Sequence, residues 1–400
     1  MTMRRTRGRM RSAKGIVAAC IMLASILSAF FSVPASVSAA VPVILACASF
    51  DRDAREDCYR ATLPEIMQTR GLADTFGVVR TLQSFDPAMR DCHFVAHRIG
   101  ERAIAEDRSR WDELLREASD VNLCAYGFVH GVTIAAFRDG VTDDDMIGLI
   151  PEFARACDIT GENRRAACIH ALGHMLYYAA GSDIRRALHY CDLVFIRDPN
   201  GGAMTDDRRC YTAAMMMTFF PFIDPDSEDV LLPEITTETS RSFCAALGDP
   251  AHVGACLRAR WPLFRDLILR EGGLDEFCAD QPDDAETEWC YAKVAVAVGW
   301  IHSTQPGDAA RLCNAVLPAR RTLCFVHVAH EIVSGRIVDG VSLAVDVCDA
   351  AVQHEVRADC MEALAISAGR FAHHDHSERE RFCGSIPEGY RQMCLSASDR

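Results

Sequence analysis

The cysteines constrain this chain more than any other feature. Of nineteen, sixteen fall into an ordered series: Cys47 and Cys58, Cys157 and Cys168, Cys191 and Cys210, Cys244 and Cys256, Cys278 and Cys290, Cys313 and Cys324, Cys348 and Cys360, Cys383 and Cys394. Seven of these eight pairs are eleven or twelve residues apart, and Cys244, Cys278, Cys313, Cys348 and Cys383 follow one another at 34 or 35 residues. A period of that length is that of a two-helix repeat. No Cys-x-x-Cys occurs, so the usual zinc-ribbon, thioredoxin and haem-attachment motifs are missing.

Each unit reads alike. A short helix such as DAARLC or SLAVDVC ends on the first cysteine, a polar turn follows, and the second cysteine opens a longer apolar helix such as CFVHVAHEIV or CMEALAISAG. Gly181, Gly299, Gly335 and Gly369 stand where those longer helices are expected to end. An arginine three residues before the second cysteine recurs (Arg55, Arg165, Arg321, Arg357, Arg391) and reads as a turn or surface contact. Nearest-neighbour disulfides are the simplest pairing, each closing a short ring for about 3 kcal/mol on a loop-entropy argument. Cys92 and Cys124 look like second cysteines without a first, and most simply pair with each other.

Such a framework needs an oxidising compartment, and the N-terminus agrees. Six basic residues and no acid (Arg4, Arg5, Arg7, Arg9, Arg11, Lys14) precede an apolar run over residues 15–33 and a small-residue stretch, ASVSAA. This reads as a signal peptide over residues 1–39, cleaved near Ala39, which makes the protein periplasmic or secreted. The alternative is an uncleaved anchor, the only reading in which a membrane is a partner. Losing the leader takes the formal charge from −14 to −20, which argues against nucleic acid as a partner. The mature chain divides into N-terminal repeats over residues 40–222, a Pro- and acid-rich linker over 223–240, and regular repeats over 241–400. The expected fold is an all-α solenoid with one disulfide per repeat of about 34–35 residues.

In period and cysteine placement the chain resembles secreted Sel1-like, cysteine-rich αα-repeat proteins, in which a disulfide clasps each helical hairpin. The resemblance spans nearly the whole mature chain. It implies a superhelix whose concave face binds a protein or peptide, and it carries over no catalytic residue.

The histidines concentrate in the irregular N-terminal half. The helix opened by Cys92 carries His93 and His97, with Glu101 a turn further; the next carries His130; the third carries His170 and His174, followed by Tyr178. Residues four apart share one helix face, so His93, His97 and Glu101 form one stripe and His170, His174 and Tyr178 another. His130 and His174 both lie six residues after their cysteine, hence on the same side of stacked helices. Neighbouring axes about 8–10 Å apart bring such imidazoles within reach of one ion.

With the cysteines assigned to disulfides, the expected donors are imidazoles and one carboxylate, which suit a transition metal such as zinc, copper or iron. Open positions beside Glu101 make a metal-dependent enzyme one reading, with Glu101 as ligand or base and Tyr178 as a hydrogen-bonding neighbour. The other reading is a non-catalytic binding scaffold with structural histidines. His327, His330 and Glu331 form a weaker group, read as core or groove residues; His373, His374 and His376 read as a solvated turn, and Met215, Met216 and Met217 as helix packing. No His-Glu-x-x-His, phosphate loop, nucleophile elbow or kinase signature occurs.

Overall fold

The computed structural model describes residues 35–83, 86, 89, 92–117, 124, 127–137, 143–159, 162–195, 205–219, 235–335, 339–371 and 376–397. The basic leader with its apolar run, residues 223–234 of the expected linker, and His373 and His374 lie outside them. Among the described residues all regular structure is helical. The N-terminal half holds α1 (Ala35–Cys47), α2 (Arg52–Arg70), α3 (Leu72–Gln83), α4 (His93–Ile104), α5 (Trp111–Glu117), α6 (Gly127–Phe137), α7 (Asp143–Ile159), α8 (Glu162–Ala179), α9 (Ile184–Val194) and α10 (Asp206–Phe219). Then come α11 (Thr237–Ala245), α12 (Pro250–Ala259), α13 (Arg265–Ile268), α14 (Gly273–Cys278), α15 (Asp284–Ile301), α16 (Pro306–Ala315), α17 (Arg321–Gly335), α18 (Gly340–Asp349), α19 (His354–Phe371), α20 (His376–Gly384) and α21 (Glu388–Ala397). None of these helices is long and apolar enough to cross a membrane.

Nine disulfides join the cysteines as the spacing predicts, the eight pairs of the series and Cys92 to Cys124. So many bonds fit an oxidising, extracytoplasmic setting. The polar turns inside the units carry their own caps. Asp51, Asp249 and Asp283 accept from the backbone N–H groups of Ala54, Ala251 and Glu286 at 3.1, 2.9 and 2.8 Å, opening α2, α12 and α15. The recurring arginines turn out to be C-caps in three units. Arg55, Arg321 and Arg357 donate to the carbonyls of Phe50, Val316 and Ala351 at 3.4, 2.9 and 2.9 Å, in each case three residues past the first cysteine. Arg165 instead pairs with Asp206 at 2.7 Å, and Arg391 with Glu380 at 3.4 Å.

The helices opened by the second cysteines pack each on the next, in the order α2, α4, α6, α8, α10, α12, α15, α17, α19, α21. The shorter helices pack behind them, α1 on α3, α7 on α9 and α16 on α18. Two of the expected helix-ending glycines do something else. Gly299 and Gly369 lie inside α15 and α19, where an added Cβ would stand 2.9 Å from the Val328 carbonyl oxygen and 2.1 Å from that of Cys394. They let neighbouring helices approach backbone to backbone. Gly181 does end its helix, in the left-handed conformation at φ +62°.

The buried apolar residues form two clusters, one from Ala39 to Ala259 and one from Trp261 to Cys394. The change falls after α12, past the expected linker, whose last residues already belong to α11. Met215 and Met217 are core, and Met216 is half-buried.

An ion network crosses the junction between the clusters. Arg258 of α12 is fully buried, ion-paired with the equally buried Glu286 of α15, and donates to Thr212 of α10 at 2.9 Å. Arg208 lies 2.9 Å from the same carboxylate, and the Arg258 guanidinium sits 5.2 Å from the Trp289 ring centre. Breaking a buried pair leaves the surviving charge without a partner in a place where water cannot reach it. Glu286→Gln is therefore expected to cost about 3–5 kcal/mol, read as a lowered urea midpoint; a loss under about 1 kcal/mol would show that the junction does not depend on this pair.

Candidate metal centre

Three consecutive helices present the five histidines. On α4, Val95, Ala96 and Ile99 are buried in the core while His93 and His97 stay half-buried on the other side. The seam between α4 and α6 explains how closely these rings meet those of the next helix. An added Cβ at Gly127 would lie 2.2 Å from the His93 carbonyl oxygen, at Gly131 2.0 Å from that of His97, and at Gly100 2.4 Å from that of Phe128. Three glycines thus let the two backbones meet, with the Ala96 side chain also at the contact, and His130 rides on α6 directly beside it. Gly173 plays the same part between α8 and α10, 2.5 Å from the Cys210 carbonyl oxygen.

His130 is the centre of the group. Its ring centroid is 4.9 Å from that of His93, 5.4 Å from His97, 5.6 Å from His170 and 5.3 Å from His174. One nitrogen from each of His93, His97 and His130 lies within 4.8 Å of the others, so these three could hold a metal ion. Ligands about 2.0–2.1 Å from an ion sit about 3.0–3.4 Å from one another. His170 and His174 have that spacing already, with their Nε2 atoms 3.0 Å apart.

The ring of His93 is also oriented from outside. Its Nδ1 lies 3.1 Å from the carbonyl oxygen of Cys124, the kind of bond that fixes a ring's tautomer and orientation. Cys124 takes the left-handed conformation at φ +56°, which costs a residue with a side chain about 1–2 kcal/mol. The disulfide to Cys92 anchors it there. The cysteine pair that departs from the repeat is thus the one that aims a carbonyl at the site.

Burial, reinforced by the neighbouring imidazoles, holds His97 and His130 well below the ordinary 6.5. Burial, then His174 and Lys293, does the same to His170; burial, then Lys293, brings His174 to about 3. These four rings are neutral at pH 7, the form that binds metal.

Glu101 is paired with Arg98 at 2.8 Å and does not join the nitrogen group. Tyr178 is half-buried on α8. His327 and His330 lie on α17; His327 is half-buried and held at about 4 by burial, while His330 is exposed, 3.2 Å from the Ser367 hydroxyl.

Two residues that the sequence did not single out belong to the same surroundings. Lys293 of α15 acts electrostatically on His170 and His174, and Arg209 of α10 on His170, His327 and His330. A signal existed for the first: Lys293 is the one charged residue in an otherwise apolar run, CYAKVAVAVGW. Compared with protein families, curated proteins and solved structures, the chain finds no match.

Two outcomes follow from this geometry. Gly131→Ala forces α6 off α4 and is expected to cost about 1–3 kcal/mol despite alanine's better helix propensity, whereas Gly148→Ala, with nothing within 4 Å, should stabilise by about 0.5–1 kcal/mol; paired urea melts compare them. The second concerns pH in the metal-free protein. Histidines whose folded pKa lies below 6.5 leave the unfolded chain binding more protons, so their contribution is intact above about pH 6.5 and is lost progressively toward pH 3. The urea midpoint should fall between pH 7.5 and 4.5, and fall less in His130→Asn; equal drops in the two proteins would contradict the assignment.

Proposed function

We propose that the protein is an exported, disulfide-clasped α-solenoid, of the superhelical kind that Sel1-like repeats build, whose concave side holds a transition metal. His93, His97 and His130 are the principal ligands, and His170 and His174 complete or flank the site. The observation that carries this reading is His130, whose ring lies against all four other histidines drawn from the helices on either side of it.

The donor set admits a metal. One ring is oriented by a backbone carbonyl, the Nε2 atoms of His170 and His174 lie 3.0 Å apart, and among the described residues no carboxylate joins the nitrogen group. Neutral imidazoles suit zinc, copper or iron. A dication on neutral ligands keeps its full charge and serves as a Lewis acid, which is the basis for reading the protein as a metal-dependent enzyme. Glu101 acts as proton acceptor in that reading only after leaving Arg98, and Tyr178 lies a turn beyond His174 on the same stripe.

Elemental analysis of protein exported to an oxidising compartment and purified without a histidine tag tests the proposal. Near-stoichiometric metal is expected in the wild type and its loss in a folded His97→Ala, His174→Ala variant. No metal in the wild type after reconstitution with zinc, copper and iron would sink the proposal and turn attention to a protein or peptide bound on the concave face.

A further inference from the structure

The two histidines of α8 are not accounted for by the three-nitrogen group. His93, His97 and His130 offer nitrogens within 4.8 Å of one another, and His170 and His174 do not join them. Two ligands of one ion lie no more than about 4.2 Å apart, twice the ion-to-nitrogen distance. An ion held by the first three therefore leaves the α8 pair outside its shell. That pair nevertheless has the spacing of ligands to a common ion, with its Nε2 atoms 3.0 Å apart and its ring centroids 4.6 Å apart.

The pair is built as the first group is built. His170 and His174, four residues apart, share one face of α8. Gly173, which lies between them in the chain, lets α10 approach α8, where an added Cβ would stand 2.6 Å from the Ala213 side chain. The Ala213 backbone in turn acts on His174 as a hydrogen-bond acceptor. A backbone acceptor at a close seam thus serves one ring of each group, Cys124 for His93 and Ala213 for His174. The His130 ring stands between the groups, 5.4 Å from that of His97 and 5.3 Å from that of His174.

We propose that His170 and His174 chelate a metal ion of their own through their Nε2 atoms, separate from the ion of His93, His97 and His130, so that the histidines form a two-ion centre. The inference rests on the metal reading for the first ion; the second stands on the α8 pair. In the metal-free protein one neutral ring donates its Nε2–H to the other across the 3.0 Å gap. When the ion binds, that proton passes to Nδ1 of the donor ring and both Nε2 lone pairs turn to the ion, with no net proton released. Having two protein ligands instead of three, the second ion is the more weakly bound and keeps more positions for water or for an oxygen of a substrate.

Equilibrium dialysis of the full exported, untagged protein against zinc, followed by elemental analysis, counts the ions. Two per chain are expected in the wild type, falling to one in a His170→Ala, His174→Ala variant and to one in a His93→Ala, His97→Ala variant, with far-UV circular dichroism checking that each keeps its helices. His174→Asn, which retains a polar side chain beside Ala213, gives the same count should the first variant not fold. A single ion lost only in the His93→Ala, His97→Ala variant overturns the proposal and leaves the three-histidine centre standing. A single ion lost in both variants overturns it in favour of one shared centre, and a second ion that survives the His170→Ala, His174→Ala change is adventitious and overturns it too. A single ion that needs only His170 and His174 upholds the α8 site and sinks the three-histidine reading; no zinc at all overturns both.

Discussion

The contact on which the site depends is the backbone-to-backbone packing of α4 against α6. Gly100, Gly127 and Gly131 bring carbonyl oxygens of one helix to within van der Waals reach of the other's Cα atoms, nearer than any seam filled by side chains permits. At that separation the side chains that flank the seam, His93, His97 and His130, must share one small volume. The Cys92–Cys124 bond clamps the open end of the seam and carries the left-handed residue whose carbonyl orients His93. Structural bond and imidazole orientation are therefore one device.

The rest of the chain works as a support for that seam. The shared unit of short helix, capped turn and disulfide fixes each long helix relative to the next, so small aliphatic and alanine side chains suffice for the core, and only 8 % of residues are aromatic. Where the two apolar clusters meet, the Arg258–Glu286 pair ties α12 to α15.

Local rules decided much of this before any tertiary contact was known. Cysteine spacing specifies the unit because a helix end and a helix start eleven or twelve residues apart are close enough for one disulfide. The five histidines follow from helix periodicity and from counting outward from each second cysteine; His130 and His174, both six residues on, do meet, with ring centroids 5.3 Å apart. Glu101 shares the stripe of His93 and His97, yet its longer side chain turns to Arg98. Periodicity assigns a face but says nothing of which neighbour a flexible carboxylate prefers. The same limit applies to Gly299 and Gly369, where glycine reads as a stop and serves a close approach.

What the sequence alone determined is the helical class, the repeating cysteine spacing and the faces that carry histidine, because each depends on residues within one or two turns or one hairpin of each other; nearest-neighbour pairing was its simplest reading, and the structure has those nine bonds. The tertiary structure decided which of those faces converge. Lys293 acts electrostatically on His170 and His174 from a helix more than a hundred residues further along the chain, and that influence depends on how successive helices lean on one another. That lean is set by glycines whose role is visible only once the opposing backbone is in place.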